Sequence, residues 1–203
     1  MNKALYTLLL SMGFFSTFAQ GKPEFGMTLS TYSGTAVLEQ KGQVDLNGFV
    51  RYGAEVMTRL VWAEQWGVFA GIGTHAFYAN KTLSGETISI ASNYLVVPFG
   101  VSYGIPLFKS EEQKTAPLWL QIDVGAHVGN LRKHEEDSVD YSSTQSNLGW
   151  NFGINGKLGM VYQFYNKFNF GLGLVAKRDL TDIKDQKITQ SNALYASLGY
   201  RFR

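Results

Sequence analysis

The chain contains no cysteine, only four prolines and no long apolar run beyond its N-terminal segment. The missing cysteines exclude disulfide bonds and a lipoprotein anchor. The 18 basic and 16 acidic residues nearly balance, which argues against an extended nucleic-acid-binding surface. No later segment approaches the length of a membrane-spanning helix, and no helical periodicity is evident. Such a chain must rely on its core or on hydrogen bonding, which suits a closed sheet.

The N-terminal segment has the features of a secretory signal peptide. Lys3 precedes an apolar run over residues 4–18, and Ala19 supplies a small residue at the cleavage site. We predict a signal peptide over residues 1–19 and one domain over residues 20–203. A transmembrane anchor is the alternative, but the run is shorter than the roughly 20 residues that a spanning helix needs.

Turn-forming residues divide the mature chain into eight segments with strand-like patterns. We place these strands near residues 24–33, 46–63, 67–79, 90–107, 117–131, 147–164, 168–178 and 191–202. The connectors "AEQW" and "YNK" are short, and "FKSEEQKTA" is intermediate. Four others are longer and polar: "GTAVLEQKGQV", "NKTLSGETIS", "RKHEEDSVDYSSTQS" and "DLTDIKDQKITQ". This order is typical of an antiparallel transmembrane barrel with periplasmic turns and longer outer loops.

The two faces of the predicted strands differ in chemistry. Between Leu148 and Phe164, the even positions are mostly apolar and the odd positions are small or polar. The polar faces carry charges in the middle of several strands, namely Arg51, Glu55, Arg59, Asp123 and Lys157. A sandwich core could not hold these charges without a heavy desolvation cost, and the apolar face could not lie in water. We therefore predict that the apolar faces contact lipid.

The same alternation of even and odd positions, called parity below, places the five charged residues in the barrel interior. Arg51, Glu55 and Arg59 share one face of the second strand, so we expect the two arginines to flank the carboxylate. Asp123 and Lys157 are the expected counter-charges on other strands. Pro98 falls inside the fourth strand, where we expect a bulge or a lost ladder hydrogen bond. The five charges form the predicted interior network.

One segment resembles a known family. "NYLVVPFGVSYGIP", from Asn93 to Pro106, is similar to a strand of the PorT-like outer-membrane β-barrels, and "DLTDI" and the closing "ALYASLGYRFR" support the likeness. The resemblance covers the mature chain in layout and implies an outer-membrane barrel of about eight strands. It implies no shared catalytic residues. Arg203 follows Phe202, whereas the terminal signal of such barrels usually ends on the aromatic residue.

We accordingly predict an all-β protein of the cell outer membrane, an eight-stranded antiparallel transmembrane barrel preceded by a cleaved signal peptide. Such a barrel has an interior that side chains can fill, so a general porin is not expected. We expect a structural or interaction role through the outer loops. The expected partners are outer-membrane lipid and lipopolysaccharide, the barrel-assembly machinery through the C-terminal strand, and an unidentified protein, but no nucleic acid.

Two other functions stay open at this point. A lipid-modifying barrel enzyme would use His127 and Asp123, which share one face, as base and orienting carboxylate. A narrow channel for small solutes is the other alternative. "HEEDSVDY", from His134 to Tyr141, could hold a divalent cation, but it lacks the spacing of a calcium loop, and a solvated loop is favoured. No cofactor, metal site or enzyme activity is predicted.

Overall fold

The computed structural model describes residues 23–41, 45–62, 65–83, 86–107, 117–164 and 167–202. The predicted signal peptide and its cleavage site lie outside these ranges. Eight strands form a closed barrel: β1 (Glu24–Gln40), β2 (Leu46–Trp62), β3 (Trp66–Leu83), β4 (Glu86–Pro106), β5 (Leu118–Asp137), β6 (Ser142–Phe164), β7 (Phe168–Asp179) and β8 (Gln186–Phe202). The described ranges contain no helix that is long and apolar enough to cross a membrane.

Every strand pairs antiparallel with its neighbours in sequence, and β1 pairs with β8 to close the ring. The closing ladder runs from Phe25 opposite Phe202 to Gln40 opposite Gln186. All backbone groups between neighbouring strands can therefore pair without a sheet edge at membrane depth, which is the requirement for spanning a bilayer with strands. The predicted all-β, eight-stranded antiparallel barrel is confirmed.

The outer surface carries an apolar belt. Leu194 is 69% exposed, Val124 is 57% exposed and Leu172 is 53% exposed, and each lies on the apolar face predicted from sequence. Exposure on this scale is typical of a surface that contacts lipid and not water. Aromatic rings meet at the end of the barrel that carries the chain termini. Phe168 and Tyr200 lie 5.0 Å apart between ring centroids, as expected of an interfacial girdle.

The strands extend well beyond their predicted ends on the opposite side, which is the extracellular side of the predicted topology. β5 continues to Asp137 and β6 begins at Ser142, so most of "RKHEEDSVDYSSTQS" is strand. The other three long connectors shorten in the same way. Beyond the bilayer, both faces of a strand meet water, so a polar sequence without alternation can still continue the ladder. The prediction of four long outer loops is therefore wrong.

Bulges change the parity of two strands near this end. The ladder with β3 skips Arg51, since Val50 pairs with Phe77 and Tyr52 pairs with Ala76. Val50 is fully buried in the interior, whereas Arg51 is exposed on the outside. A positive φ at Asn147 and Gly149 similarly accompanies a buried Leu148. The predictions that Arg51 faces inward and that Leu148 faces lipid are both wrong.

Pro98 leaves a gap in one ladder. The ladder between β3 and β4 passes from Ala70–Phe99 to Gly73–Val96 with no pair at Pro98, although Pro98 stays in register with His127 of β5. Proline has no N–H to donate, so a locally lost ladder hydrogen bond is the expected result.

The barrel interior has two chemically different halves. Towards the extracellular end it is filled by an apolar core, in which Leu38, Val50, Phe77 and Leu131 are 0–1% exposed. Ile183, from the turn between β7 and β8, points into this core. The half nearer the periplasmic end is polar and charged. The sequence analysis did not predict that an apolar core fills the extracellular half of the lumen.

Glycine makes room for large side chains in the narrow lumen. Gly100 of β4 and Gly125 of β5 face each other, and a Cβ on Gly100 would lie 2.6 Å from the Cα of Gly125 and 2.9 Å from the ring of Phe69. Any larger residue would have to displace backbone. Their small size lets the buried Phe69 ring pack against the sheet.

Candidate functional site in the barrel interior

Glu55 of β2 is the centre of the interior charge network. Its side chain is 1% exposed, and it accepts a hydrogen bond of 2.6 Å from the Lys157 ammonium of β6. Its second carboxylate oxygen accepts a hydrogen bond from the Lys177 ammonium of β7. Since β2 and β6 lie on opposite sides of the eight-stranded ring, these contacts cross the lumen. One carboxylate thus ties β2 to β6 and β7, two strands with which β2 shares no ladder.

Aromatic rings and sulfur complete the surroundings of the two lysines. Lys177 also donates to the Tyr32 hydroxyl at 2.8 Å and lies 4.7 Å from the centroid of the Tyr32 ring. Lys157 lies 3.5 Å from the Met57 sulfur and 5.8 Å from the Tyr195 ring centroid. Buried ammonium groups need such partners because they have lost their water.

A second ion pair lies on the periplasmic side of Glu55. The Arg59 guanidinium donates to Asp123 at 2.7 Å. Gln121 donates from its side-chain amide to both oxygens of the same carboxylate, at 3.1 and 3.0 Å. Asp123 is 1% exposed, so these contacts replace nearly all of its hydration.

A third pair joins His127 of β5 to Asp179 of β7. The distance from His127 Nε2 to Asp179 Oδ1 is 3.0 Å, and the other carboxylate oxygen accepts the backbone N–H of Ile188 at 2.9 Å. The sequence-based hypothesis paired His127 with Asp123, and that pairing is wrong because the two side chains point to different partners. Asp123 binds Arg59 instead.

The buried charges of these pairs balance. The central network has three cations, Arg59, Lys157 and Lys177, and three carboxylates, Glu55, Asp123 and Asp179. A balanced and hydrogen-bonded set is the arrangement in which buried charge is tolerable.

The structure therefore brings four of the five sequence-predicted residues together. Glu55 meets Lys157, and Arg59 meets Asp123. Arg51 is excluded because the bulge turns it outward. Sequence reasoning missed Lys177 and Asp179, although both occupy odd, inward positions of β7. Parity alone could have found them.

A hydrogen-bonded set at the extracellular end was not predicted. Ser92 Oγ lies 2.8 Å from His134 Nδ1, and His134 Nε2 lies 3.3 Å from Glu136 Oε1. This order of groups resembles that of a serine hydrolase. However, the Ser92 side chain is 0% exposed and lies within the apolar half, so a substrate could not reach it. These residues connect β4 to β5 within the wall.

A vestibule opens at the periplasmic end. It has an empty volume of about 890 Å³, including its open mouth, and its polar lining includes Arg59, Asp123, Lys157 and Arg201. Lys157 and Met57 lie on its inner wall, next to Glu55. Water can enter this half, and the Glu55 cluster and the apolar core stand between it and the outer end.

The described residues do not form a metal centre. No group of three or more His, Cys, Asp or Glu side chains within them has the arrangement of metal ligands. In "HEEDSVDY", His134 contacts Glu136, and Glu135 binds Lys133 at 2.6 Å. Because β5 continues through Asp137, successive side chains from His134 to Asp137 point to opposite faces.

Comparisons with known proteins agree with this architecture. No family model matches the sequence, and no curated protein matches it. The outer membrane protein OprG from Pseudomonas aeruginosa aligns with a TM-score of 0.54 at 13% identity, covering 89% of this chain and 96% of OprG. Neisserial surface protein A aligns with a TM-score of 0.50 at 12% identity, covering 90% of this chain and 100% of that protein. The likeness shows the fold of a small outer-membrane β-barrel, which agrees with the predicted location in the cell outer membrane.

Proposed function

We propose that this protein is an interaction barrel of the outer membrane, and that its partner docks on the extracellular edge of β6. The observation that carries the proposal is the pairing of β6 with β7, which begins only at Gly153 opposite Asp179. Residues 142–152 pair with β5 on one side, except at the bulge of Asn147 and Leu148, but have no β7 ladder partner within the described ranges. These eleven residues of β6 extend for roughly 37 Å along the strand at the usual rise.

The geometry of the hairpin of β5 and β6 supports this use. The β7 to β8 turn hydrogen-bonds to β6 at Phe152, whose carbonyl accepts the Leu180 N–H and whose N–H donates to the Thr181 hydroxyl, each at 2.8 Å. Ile183 of the turn also lies beside Gly149. Above that point the edge is polar, with exposed Thr144, Gln145 and Ser146. An open edge with unpaired backbone groups can bind an extended polypeptide by adding a strand. The proposed surface is thus a strand edge and not the outer loops expected from sequence.

Large exposed side chains lie on the same hairpin. Val139 is 88% exposed and Tyr141 is 57% exposed at its tip. Apolar and aromatic side chains of this kind supply the anchors of many protein interfaces. A partner strand on the β6 edge would pass close to them.

Lipopolysaccharide is the second proposed contact. Arg51 and Arg178 are exposed on the outside of the barrel, towards its extracellular end, and neither has an ion pair with another described residue. Guanidinium groups bind phosphate in a bidentate manner. We propose that these two arginines contact lipopolysaccharide phosphates.

We also propose that the chain belongs to the PorT-like family and that the barrel-assembly machinery recognises it. The motif from Asn93 to Pro106 lies in β4 and pairs with β5 along its whole length. The last strand, β8, ends with the aromatic Phe202, which packs at 5.5 Å on the Phe25 ring of β1. This closing strand is the proposed assembly signal.

We propose no enzyme activity and no general conductance. His127 and Asp179 are both less than 10% exposed inside the lumen. The apolar core and the Glu55 cluster obstruct the lumen at two levels. The periplasmic vestibule favours a narrow channel as the second candidate function. Conduction would require both the apolar core and the Glu55 cluster to move out of the lumen.

Thiol cross-linking on intact cells tests the docking surface. Because the chain has no cysteine, Gln145→Cys introduces a single thiol on the β6 edge, and Thr87→Cys introduces a matched exposed thiol at the same end on β4. With a short thiol-to-amine cross-linker, we expect a discrete heavier species from Gln145→Cys only. Equal labelling patterns from both variants, or no adduct from either in the native strain, would contradict the edge proposal.

A further inference from the structure

A small cavity lies between the Glu55 cluster and the apolar outer half. About 20 Å³ of it can hold the centre of a water-sized sphere, which is room for about one water molecule, and its lining includes His75, Tyr94, His127 and Asn151. These side chains come from four successive strands, β3 to β6, while Lys177 and Asp179 of β7 close the opposite wall. The cavity is thus surrounded by groups that form hydrogen bonds.

Four buried polar atoms on these residues lack a partner among the described residues. They are His75 Nε2, Tyr94 Oη, His127 Nδ1 and Asn151 Oδ1. The four side chains are only 3–5% exposed. Burying an unsatisfied polar atom is costly, and native proteins rarely do it. Four such atoms around one cavity point to a bound molecule that satisfies them.

The neighbouring hydrogen bonds assign which of these atoms donate. His127 Nε2 faces the Asp179 carboxylate at 3.0 Å, so it carries the hydrogen and leaves Nδ1 as an acceptor. Tyr32 accepts a hydrogen bond from Lys177 at 2.8 Å, so its own hydroxyl hydrogen is available for His75 Nδ1 at 3.3 Å. His75 Nε2 then carries the hydrogen and donates into the cavity.

We propose that this cavity is a binding site for ordered water. It presents acceptors at His127 Nδ1 and Asn151 Oδ1, a donor at His75 Nε2 and a hydroxyl at Tyr94. Water has two donors and two acceptors, and therefore matches this set. A chloride ion would need donors throughout, and a metal ion would need acceptors throughout.

Two glycines preserve the site. A Cβ on Gly129 would collide with Asn151 Oδ1, and a Cβ on Gly153 would lie 2.5 Å from His127 Nε2. Any side chain at these positions would force the amide or the imidazole away from the cavity. Both glycines are therefore needed to keep these two acceptors in place.

Bound water completes one hydrogen-bonded network through the lumen. The network passes from Asp179 to His127, across the water to His75, and then through Tyr32 and Lys177 to Glu55. It ends at Lys157, on the wall of the periplasmic vestibule. Water in the cavity thus joins the His127 pair to the central ion pairs.

Imidazole NMR tests the assignment without a substitution in the cavity. The protein has three histidines, so a sample labelled with ¹⁵N-histidine gives three ring patterns, and His134→Gln identifies the third. We expect His75 and His127 both to be neutral with the hydrogen on Nε2. A doubly protonated His127 would place mainly donors around the cavity and would overturn the water assignment in favour of an anion.

A crystal structure supplies the second measurement. We expect density within about 2.7–3.2 Å of the four atoms, and no anomalous peak there after a bromide soak. In Tyr94→Phe, with lipid-facing Tyr162→Phe as the matched control, we expect weaker density at this position. A bromide peak, or an empty cavity in the wild-type protein, would refute the proposal.

Discussion

Replacing Glu55 by alanine should destabilise the barrel strongly. The carboxylate holds the Lys157 ammonium at 2.6 Å and also binds the Lys177 ammonium, and all three side chains are at least 93% buried. Removing it leaves two ammonium groups in the lumen without their counter-charge. From the sequence alone, we expected this substitution to leave two arginines without enough negative charge nearby. In the structure, the two cations that bind Glu55 are lysines instead.

The size of the effect follows from burial. Removing one partner of a buried ion pair typically costs about 3–5 kcal/mol, because an uncompensated charge remains. Glu55 serves two cations, so we expect the upper part of this range. By contrast, an ion pair on a water-exposed surface contributes about 0–1 kcal/mol.

A charge-balanced variant separates electrostatics from packing. Glu55→Gln keeps the volume of the side chain but loses its charge, and Glu55→Gln combined with Lys157→Met removes one charge of each sign. We expect the double variant to be more stable than Glu55→Gln, although it carries one more substitution. Urea unfolding from lipid vesicles, followed by tryptophan fluorescence, measures the free energies of unfolding.

Two results would refute the reasoning. If Glu55→Ala unfolds within about 1 kcal/mol of the wild-type protein, the pairs behave as solvated surface contacts. The second measurement is conductance in planar bilayers, where we expect no steady single-channel steps from the wild-type protein. Stable, ion-selective steps would show that the charges line a pore.

Three further predictions concern location, orientation and reactivity. The folded protein should fractionate with outer membranes and migrate faster on gels before boiling than after it, whereas a folded soluble periplasmic species would contradict the lipid-facing belt. Val124→Arg should lower the free energy of unfolding by about 2–4 kcal/mol near the bilayer midplane. Gln121→Arg, on the inward face beside Asp123, should lower it less in the same assay, and equal losses would refute the assigned faces. A fluorophosphonate probe should not label Ser92, and labelling that Ser92→Ala abolishes would reveal an accessible nucleophile.

The number of strands could be predicted from the sequence, and so could the side chains of the membrane-spanning part that face lipid or the lumen. This is because lipid favours apolar side chains and the lumen favours small or polar ones, and the two alternate along each strand. Leu172 and Val124 were correctly placed on the outside by parity alone. This rule requires regular alternation. It fails at Arg51, where one inserted residue exchanges the two faces of β2 without a proline to mark it.

The extracellular half was less predictable for a related reason. Where both faces meet water, as along Thr144 to Ser146, a polar run looks like a loop although it continues a ladder. The apolar core also uses residues that parity alone cannot place, such as Ile183 in a turn.

Contacts across the lumen depend on the stagger between neighbouring strands and on the tilt of the strands to the barrel axis. A sequence pattern contains neither quantity. Parity places Glu55 and Lys177 inside, but it does not say which strands face each other at the same height. Nor could it separate Asp123 from Asp179 as the partner of His127. The network residues were therefore easier to predict than their pairs.

The Glu55 contacts also constrain the order of assembly. Glu55 precedes Lys157 by 102 residues and Lys177 by 122 residues in the chain. While only the first half of the barrel has formed, this carboxylate has neither lysine beside it, and contacts between such distant residues form slowly because a long loop must close first. We therefore expect that the ion pairs form together with the β1–β8 seam, so that a C-terminally truncated chain would retain a hydrated and incompletely inserted β2.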